Sequence, residues 1–239
     1  MAGLPTESRP ATAGLPSAIG TGVNPEELPI EDQPNEPLSQ SDNEVRRSLA
    51  ELDKHLVVDP AEMSPAASRY LRSRPWATPE FLRKARCGYM PSDAKSTLRG
   101  QWVFGVFDEQ GEPLCWVGRN LKYEEQIAKL RRGDESPAKY RFPSQKFFCR
   151  KFELYGQESL DRPELQESLQ NNGLLIVEGF WDVLRLRQLS IASVGIMSNH
   201  ITDEQLARVV KMAQTKAAGR IAIMFDADEK GDEGAKDAL

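Results

Sequence analysis

Two short apolar runs in the last third of the chain stop at carboxylates. Residues 174–177 lead into Glu178, and residues 221–225 lead into Asp226. Continuous apolar runs of this length, separated by helical patterns, are typical of strands that are buried on both faces of a parallel sheet. In an open α/β sheet, ligands bind beyond the carboxyl ends of the strands. The pattern therefore predicts an α/β domain over residues 173–239, with its carboxylates gathered on one rim.

The middle of the chain, residues 61–172, predicts a separate α+β subdomain. Ser64 and Thr78 each precede a proline and an apolar pattern of helical spacing, which predicts two capped helices. The β-rich runs 100–107 and 113–119 flank a short turn that contains Gly111, and this arrangement predicts a hairpin.

Residues 1–60 differ in composition from the rest. The first 41 residues are rich in Pro, Gly, Ser, Thr and Glu and have few large apolar side chains, so we expect a disordered arm. Residues 43–57 place apolar side chains at helical spacing. This segment is either a helix that docks on the body or on a partner, or a partly helical linker.

Charge is distributed unevenly along a chain whose formal net charge is −5. The segment from Arg69 to Lys151 holds 18 basic and 9 acidic residues. A basic segment beside an acidic rim is typical of an enzyme that handles a polyanion. Residues 139–154 interleave aromatic and basic side chains, which suits stacking on bases and pairing with phosphates. The alternative is a strand with its aromatic side chains in the core and its basic side chains in solvent.

The predicted rim offers only oxygen ligands. Glu178, Asp182, Asp226 and Asp228 have no cysteine or nearby histidine beside them, which favours Mg²⁺ or Mn²⁺. Asp182 either ligates the metal or complements the dipole of the helix that follows Glu178. Three widely spaced cysteines argue against a zinc site and against a disulfide framework, so we expect no zinc and a cytoplasmic location. We also expect no signal peptide and no membrane span, because no apolar run approaches about 18 residues.

These residues together resemble the catalytic core of bacterial DnaG-type primases, over roughly residues 65–239. Leu174–Val183 is similar to the family's VEGYMDV segment, and it is followed by Ile201–Leu206, which resembles LTEEQL, and by Phe225–Gly231, which resembles FDGDxAG. This is the Toprim signature, which primases share with topoisomerases and some nucleases. The subdomain before it matches the primase order at Ala67–Leu71, Gly88-Tyr89, Gly118-Arg119, Lys139-Tyr140 and Leu154–Gly156.

The resemblance implies a Toprim-type, mostly parallel sheet flanked by helices, preceded by the basic α+β subdomain. It also implies a DNA-directed RNA polymerase of the primase type, which makes short RNA primers on single-stranded DNA from ribonucleoside triphosphates. The implied catalytic residues are Glu178, Asp226 and Asp228, and these would hold the metal together with Asp182. The implied nucleic-acid or nucleotide contacts are Arg119, Lys139, Tyr140, Arg150 and Lys151, with arginine at position 150 where lysine is usual.

Three departures from the family pattern leave alternatives open. Nothing in residues 1–60 resembles the zinc-binding module that usually begins such primases. The family's second acidic cluster and the last Toprim strand would fall beyond Leu239, as would the helices that bind a replicative helicase. We therefore expect an incomplete Toprim domain, in a fragment or a reduced relative. The competing interpretations are a Toprim nuclease that uses the same acids for hydrolysis and an inactive remnant that binds nucleic acid.

Overall fold

The computed structural model describes Leu49 and residues 51–226, which form two sheets and the helices around them. The first sheet is antiparallel, in the order β1-β2-β3-β4. The predicted hairpin is confirmed, because β2 and β3 pair from Trp102 opposite Arg119 to Phe107 opposite Pro113. Asp108 closes the turn, with its side chain accepting the N–H groups of Gln110 and Glu112 at 3.0 and 2.8 Å. The strands are β1 (Cys87–Tyr89), β2 (Trp102–Phe107), β3 (Pro113–Arg119) and β4 (Tyr140–Arg141).

Three short helices accompany this sheet, α1 (Pro65–Arg72), α2 (Pro79–Lys84) and α3 (Tyr123–Ile127). Both predicted caps are confirmed. The Ser64 hydroxyl accepts the N–H of the third helical residue of α1 at 3.3 Å, and Thr78 does the same for α2 at 3.2 Å. Each cap satisfies a backbone donor that would otherwise lack a partner at the helix start.

The described end of the segment predicted to be helical over 43–57 docks on the first sheet. Leu49 and Leu52 are in the helical part, which passes into a 3₁₀ turn at Asp53–His55, and both leucines pack against a buried cluster behind β2 and β3. Trp116 donates its indole N–H to the Leu49 carbonyl at 2.8 Å. The docking alternative is thus the one observed for these residues. The rest of the segment and the predicted disordered arm lie outside the described residues.

The second sheet is parallel, with strand order β6-β5-β7. Its strands are β5 (Leu174–Val177), β6 (Ser193–Gly195) and β7 (Ile221–Ile223), and its helices are α4 (Pro163–Asn172), α5 (Phe180–Gln188) and α6 (Asp203–Lys216). The prediction that the 221–225 run is buried on both faces is wrong: Ile221 is 38% exposed and Met224 is 48% exposed. Within the described part of the chain, β7 is an edge strand that pairs only with β5, so less of the structure covers it.

Aromatic side chains join the two sheets. Phe180, at the start of α5, stacks on Phe104 of β2 with ring centroids 4.6 Å apart, and it meets Tyr155 edge-on at 4.7 Å. Gly156, next to Tyr155, lets the chain pack closely against α5. Its φ is +88°, and a Cβ there would lie 2.6 Å from the Val183 side chain of that helix. The fold is therefore the expected mixed α/β arrangement. Of the helices in the described ranges, none is both long and apolar enough to cross a membrane.

Candidate active site

The two carboxylates that end the apolar runs meet on one rim, because β5 and β7 are parallel neighbours. The backbone N–H of Asp226 donates to Glu178 Oε1 at 3.0 Å. This bond fixes the orientation of the Glu178 carboxylate relative to the end of β7. Both residues line a cavity of about 280 Å³, and the other charged residues of the described chain that line it are Lys139 and Asp182.

Asp182, which lines this cavity, also caps a helix. Its Oδ2 accepts the N–H of Gly179 at 3.1 Å, which caps the first turn of α5. Burial raises the pKa of the Asp182 carboxyl, and the negative charge of Asp226 raises it further. The helix-start alternative is therefore visible in the structure, and Asp182 and Asp226 line the same cavity. A metal-binding role for Asp182 stays a prediction.

The donor set on the rim has the right chemistry for a hard cation, since Glu178, Asp182 and Asp226 offer only carboxylate oxygens. Across Leu49 and residues 51–226, however, no three Asp, Glu, His or Cys side chains converge closely enough to hold an ion. Asp228, the remaining predicted ligand, lies outside the described residues. The metal centre therefore stays a prediction.

A strained turn after β6 lies beside the rim and lines the same cavity. Met197 has a φ of +59°, a left-handed conformation that costs energy for a non-glycine residue and occurs often at functional sites. Its N–H donates to the Glu178 carbonyl at 3.0 Å, and its carbonyl accepts the Arg150 guanidinium at 3.2 Å. This turn therefore connects the backbone of Glu178 to Arg150, one of the predicted nucleotide contacts.

The other predicted contact residues occupy different environments. Arg119 is only 6% exposed, and its guanidinium pairs with Glu124 at 2.6 Å and lies 5.2 Å from the ring centre of Tyr140. Lys139 is exposed and lines the carboxylate cavity together with Tyr140. Lys151 pairs with Glu204 at 2.7 Å. Lys139 and Tyr140 thus lie beside the rim, and Arg119 contacts Tyr140 from the neighbouring strand β3.

Most of the aromatic and basic segment 139–154 is not a strand, and its stacking on bases and pairing with phosphates stay a prediction. Only Tyr140–Arg141 is a strand, and Arg150–Phe152 is a 3₁₀ turn, so the strand alternative is wrong for most of the segment. Phe148 is buried at 6% exposure, whereas Phe147 is 74% exposed. Because the backbone leaves the sheet after Arg141, the aromatic side chains no longer alternate between two faces.

Gln205 was not among the predicted site residues, but its side chain connects several backbone segments in this part of the site. Gln205 is 1% exposed, and its side-chain amide donates to the carbonyls of Arg150, Glu153 and Ile196 at 3.2, 2.9 and 3.1 Å. Its carbonyl oxygen accepts the Thr202 N–H at 3.2 Å, which completes the N-terminal cap of α6. The signals in the sequence were the capping-box spacing of Thr202 and Gln205 and the resemblance of Ile201–Leu206 to LTEEQL.

A second missed feature is a wide cavity beside the first sheet. Its volume is about 910 Å³, and four basic residues contribute to its lining. None of the described residues that line it is acidic. The cavity is therefore a concentrated patch of positive charge. Its basic residues are Arg69, Arg99, Lys122 and Arg141.

Sequence comparisons find similarity to a Toprim-like family model and to DNA primases. A family model described as Toprim-like matches residues 175–239. The chain is 25% identical to the DNA primase of Haemophilus influenzae over 245 residues, which cover 89% of this chain and 38% of that protein. It is 30% identical to the DNA primase of Clostridium acetobutylicum over 139 residues, which cover 56% of this chain and 19% of that protein. The chain thus spans less than two fifths of the curated relatives it matches.

Solved structures show the same fold. The zinc-binding and RNA polymerase domains of Aquifex aeolicus primase match with a TM-score of 0.61 at 20% identity, over 84% of this chain and 52% of that one. The RNA polymerase domain of Mycobacterium tuberculosis primase DnaG matches with a TM-score of 0.61 at 19% identity, over 84% and 71%. A DnaG primase catalytic domain bound to single-stranded DNA matches with a TM-score of 0.57 at 19% identity, over 81% and 64%. The resemblance to the DnaG-type primase core is confirmed.

Proposed function

We propose that this chain is the catalytic core of a DNA primase, which joins ribonucleotides into short primers on a single-stranded DNA template. The observation that carries the proposal is the meeting of Glu178 and Asp226 on one rim, with Lys139 in the same cavity. Carboxylates and a cation beside a phosphate-binding groove are the parts that phosphoryl transfer requires. The sequence relatives named above support the same reaction class.

In this reaction the 3′-hydroxyl of one nucleotide attacks the α-phosphorus of the next, and pyrophosphate leaves. The Glu178 carboxylate, held by the Asp226 N–H, accepts the proton of the attacking hydroxyl. Lys139, which lines the same cavity, neutralises phosphate charge. Glu178, Asp226 and Asp228, with Asp182 beside them, would hold Mg²⁺ or Mn²⁺, which when bound stabilises charge on the attacking and leaving oxygens.

The wide basic cavity is the proposed path of the template. Arg69 on α1, Arg99 before β2 and Arg141 on β4 are exposed and lie around one cavity, so a single strand can place several phosphates against them. One comparable DnaG catalytic domain is known with bound single-stranded DNA. The partner of this chain in the proposal is therefore single-stranded DNA, with a replicative helicase as a further partner of the whole protein.

Template binding should be electrostatic and should depend on this cavity. We expect Arg69→Gln, Arg99→Gln and Arg141→Gln each to weaken binding of a mixed-sequence single-stranded oligonucleotide. Each should also reduce the slope of log K against log salt by about 0.7, the contribution of one phosphate contact on a single strand. Fluorescence anisotropy between low and moderate salt measures both effects. Lys211→Gln on α6, an exposed cation outside the cavity, should change neither; equal effects from Lys211→Gln would contradict the proposed path.

Primer synthesis is the test of the reaction class. The protein encoded by the whole reading frame is incubated with single-stranded DNA, four ribonucleotides and Mg²⁺ or Mn²⁺, and its products are resolved on a denaturing gel. We expect short oligoribonucleotides whose formation requires the template. Cleavage of the DNA without synthesis would instead establish the Toprim nuclease. DNA binding with neither activity would establish the inactive remnant.

A further inference from the structure

A buried ion pair lies at the far end of the helix that begins beside the carboxylate rim. Arg187, in the last turn of α5, donates to Glu158 Oε1 at 2.9 Å. The two side chains are only 5% and 13% exposed. Charged side chains are almost never buried to this degree unless they are paired. A buried pair rarely stabilises a fold more than apolar side chains of similar volume would, so we looked for a different role for this one.

Polar atoms around this pair lack hydrogen-bond partners among the described residues. They are Arg187 Nε and Glu158 Oε2 of the pair itself, and the hydroxyl oxygens of Tyr155 and Ser193. Burial raises the pKa of the Tyr155 hydroxyl, the Arg187 charge lowers it and the Glu158 charge raises it, so this hydroxyl is within electrostatic range of the pair. Proteins usually satisfy such buried groups with ordered water where no protein group is in reach.

The backbone geometry places Arg187 and Ser193 on facing surfaces. Arg187 lies four residues after Val183, on the same face of α5. A Cβ built on Gly156 would lie 2.6 Å from the Val183 side chain and 3.2 Å from Arg187 Nη2. A Cβ built on Gly195 would lie 3.1 Å from Val183, and Ser193 shares that face of β6 because side chains two residues apart in a strand point the same way. The polar groups therefore lie where α5 meets β6 and the segment that contains Gly156.

The pair connects α5 to an element that is anchored on the first sheet. Glu158 is in the 3₁₀ turn Gln157–Ser159, and the side-chain amide of Gln157 donates to the Phe107 carbonyl at 2.9 Å. At its other end, α5 begins two residues after Glu178. Arg187 is nine residues from Glu178, so it can act on that carboxylate only through the helix.

We infer that Arg187 is a positioning residue, whose buried pair with Glu158 fixes the rotation of α5 and thereby the orientation of the Glu178 carboxylate. Buried water completes this network by bonding the hydroxyls of Tyr155 and Ser193 to the pair, because a buried water makes about three hydrogen bonds to groups that otherwise lack partners. Apolar contacts hold a helix against a sheet, whereas directional bonds also define its rotation. The inference rests on the proposed function in giving the positioned carboxylate a part in catalysis.

The hydroxyl of Tyr155 tests the buried water by the sign of one effect. If this hydroxyl bonds water, Tyr155→Phe removes a hydrogen bond and should lower the melting temperature by roughly 2–4 °C. If the hydroxyl is unpaired, the same substitution removes an unsatisfied buried group and should raise the melting temperature. Ser193→Ala should act in the same direction as Tyr155→Phe, and Ser144→Ala, at an exposed serine, should have little effect. A rise in Tyr155→Phe, measured by calorimetry, would overturn the network.

The ion pair is tested by removing one partner and then both. Arg187→Met keeps a long unbranched side chain but leaves Glu158 buried without its counter-charge, so it should lower the melting temperature by roughly 10 °C. Adding Glu158→Met should recover most of this loss, because no uncompensated buried charge then remains. Equal losses in the single and the double variant would show that the two side chains do not act as a pair, and would overturn the inference.

The double variant then separates positioning from stability. Two backbone amides report the geometry of the rim, because the Asp226 N–H donates to Glu178 Oε1 at 3.0 Å and the Gly179 N–H donates to Asp182 Oδ2 at 3.1 Å. We expect the ¹H–¹⁵N resonances of both amides to shift in the double variant. Resonances at the positions of the unchanged protein would overturn the positioning role. If the double variant fails to fold, the same two amides are measured in Tyr155→Phe, with the same criterion.

An exposed ion pair on α2 provides the matched control. Lys84 and Glu80 are 2.9 Å apart, with side chains 70% and 78% exposed. Replacing both by methionine should move neither the melting temperature nor the two rim amides, because an exposed pair contributes little. Equal shifts of the rim amides in this control would contradict a role specific to Arg187.

Primer synthesis links the positioning role to the proposed reaction. The double variant at Arg187 and Glu158 should make primers roughly ten- to a hundredfold more slowly, since a small displacement of a catalytic group has effects of that size. Its affinity for single-stranded DNA should be unchanged, because neither residue lines the basic cavity. Shifted amides in a protein that makes no primers would leave the positioning role standing and defeat the proposed function. Primer synthesis by a double variant with unmoved amides would do the reverse.

Discussion

Phe180→Ala should lower the free energy of unfolding by about 3–5 kcal/mol, the usual cost of removing a buried phenylalanine ring. Phe180 is 1% exposed and stacks on Phe104, and it also contacts the rings of Tyr155 and Tyr140 at 4.7 and 5.2 Å. The substitution leaves a cavity where the two sheets meet, so the surrounding rings lose contacts that they cannot recover by small shifts.

Urea denaturation followed by circular dichroism measures this loss. Phe147→Ala is the matched control, because it makes the same chemical change at a side chain that is 74% exposed, and we expect its effect to stay within about 0.5 kcal/mol. Similar effects at the two positions would show that Phe180 does not join the sheets. Phe180 lies two residues after Glu178, so Phe180→Ala should also reduce activity through the position of that carboxylate.

The carboxylate rim could be predicted from the sequence because it depends on local pattern and on one topological rule. An apolar run that stops at an acid places that acid at a strand end, and parallel neighbouring strands then bring Glu178 and Asp226 together. The helix caps at Ser64 and Thr78 were predictable for a similar reason, since a cap bonds only to the residues that follow it. The strand ends and the helix caps are each encoded within a few residues, and the parallel topology supplies the rest.

Features that depend on distant partners could not be predicted in this way. The exposure of β7 depends on which elements cover the sheet, and the apolar run itself does not specify those elements. Gln205 is a capping residue by its sequence, but its amide contacts carbonyls more than 50 residues away on the 150–153 segment. Arg119 was expected at the groove, but it is buried where β3 pairs with β4, with Tyr140 as its cross-strand neighbour. In each case the feature depends on residues that are brought together from different parts of the chain.

Glu178→Gln should reduce primer synthesis by roughly 10²–10⁴-fold, the usual contribution of a general base. Glutamine keeps the shape of the side chain and a carbonyl oxygen that can still accept the Asp226 N–H, but it cannot take a proton from the attacking hydroxyl. Affinity for single-stranded DNA should change little, because the basic cavity that we assign to the template does not include Glu178. Glu167→Gln, an exposed glutamate on α4, is the matched control and should retain full activity.

The most direct test of a polymerising site at this rim is the rate of template-dependent primer synthesis, measured side by side for the unchanged protein, Glu178→Gln and Glu167→Gln. DNA affinity and thermal unfolding of each protein are recorded in the same series. We expect synthesis by the unchanged protein and by Glu167→Gln, and loss of synthesis in Glu178→Gln with DNA binding and folding intact. Synthesis by Glu178→Gln at the rate of the unchanged protein would contradict the assignment of the chemistry to this rim.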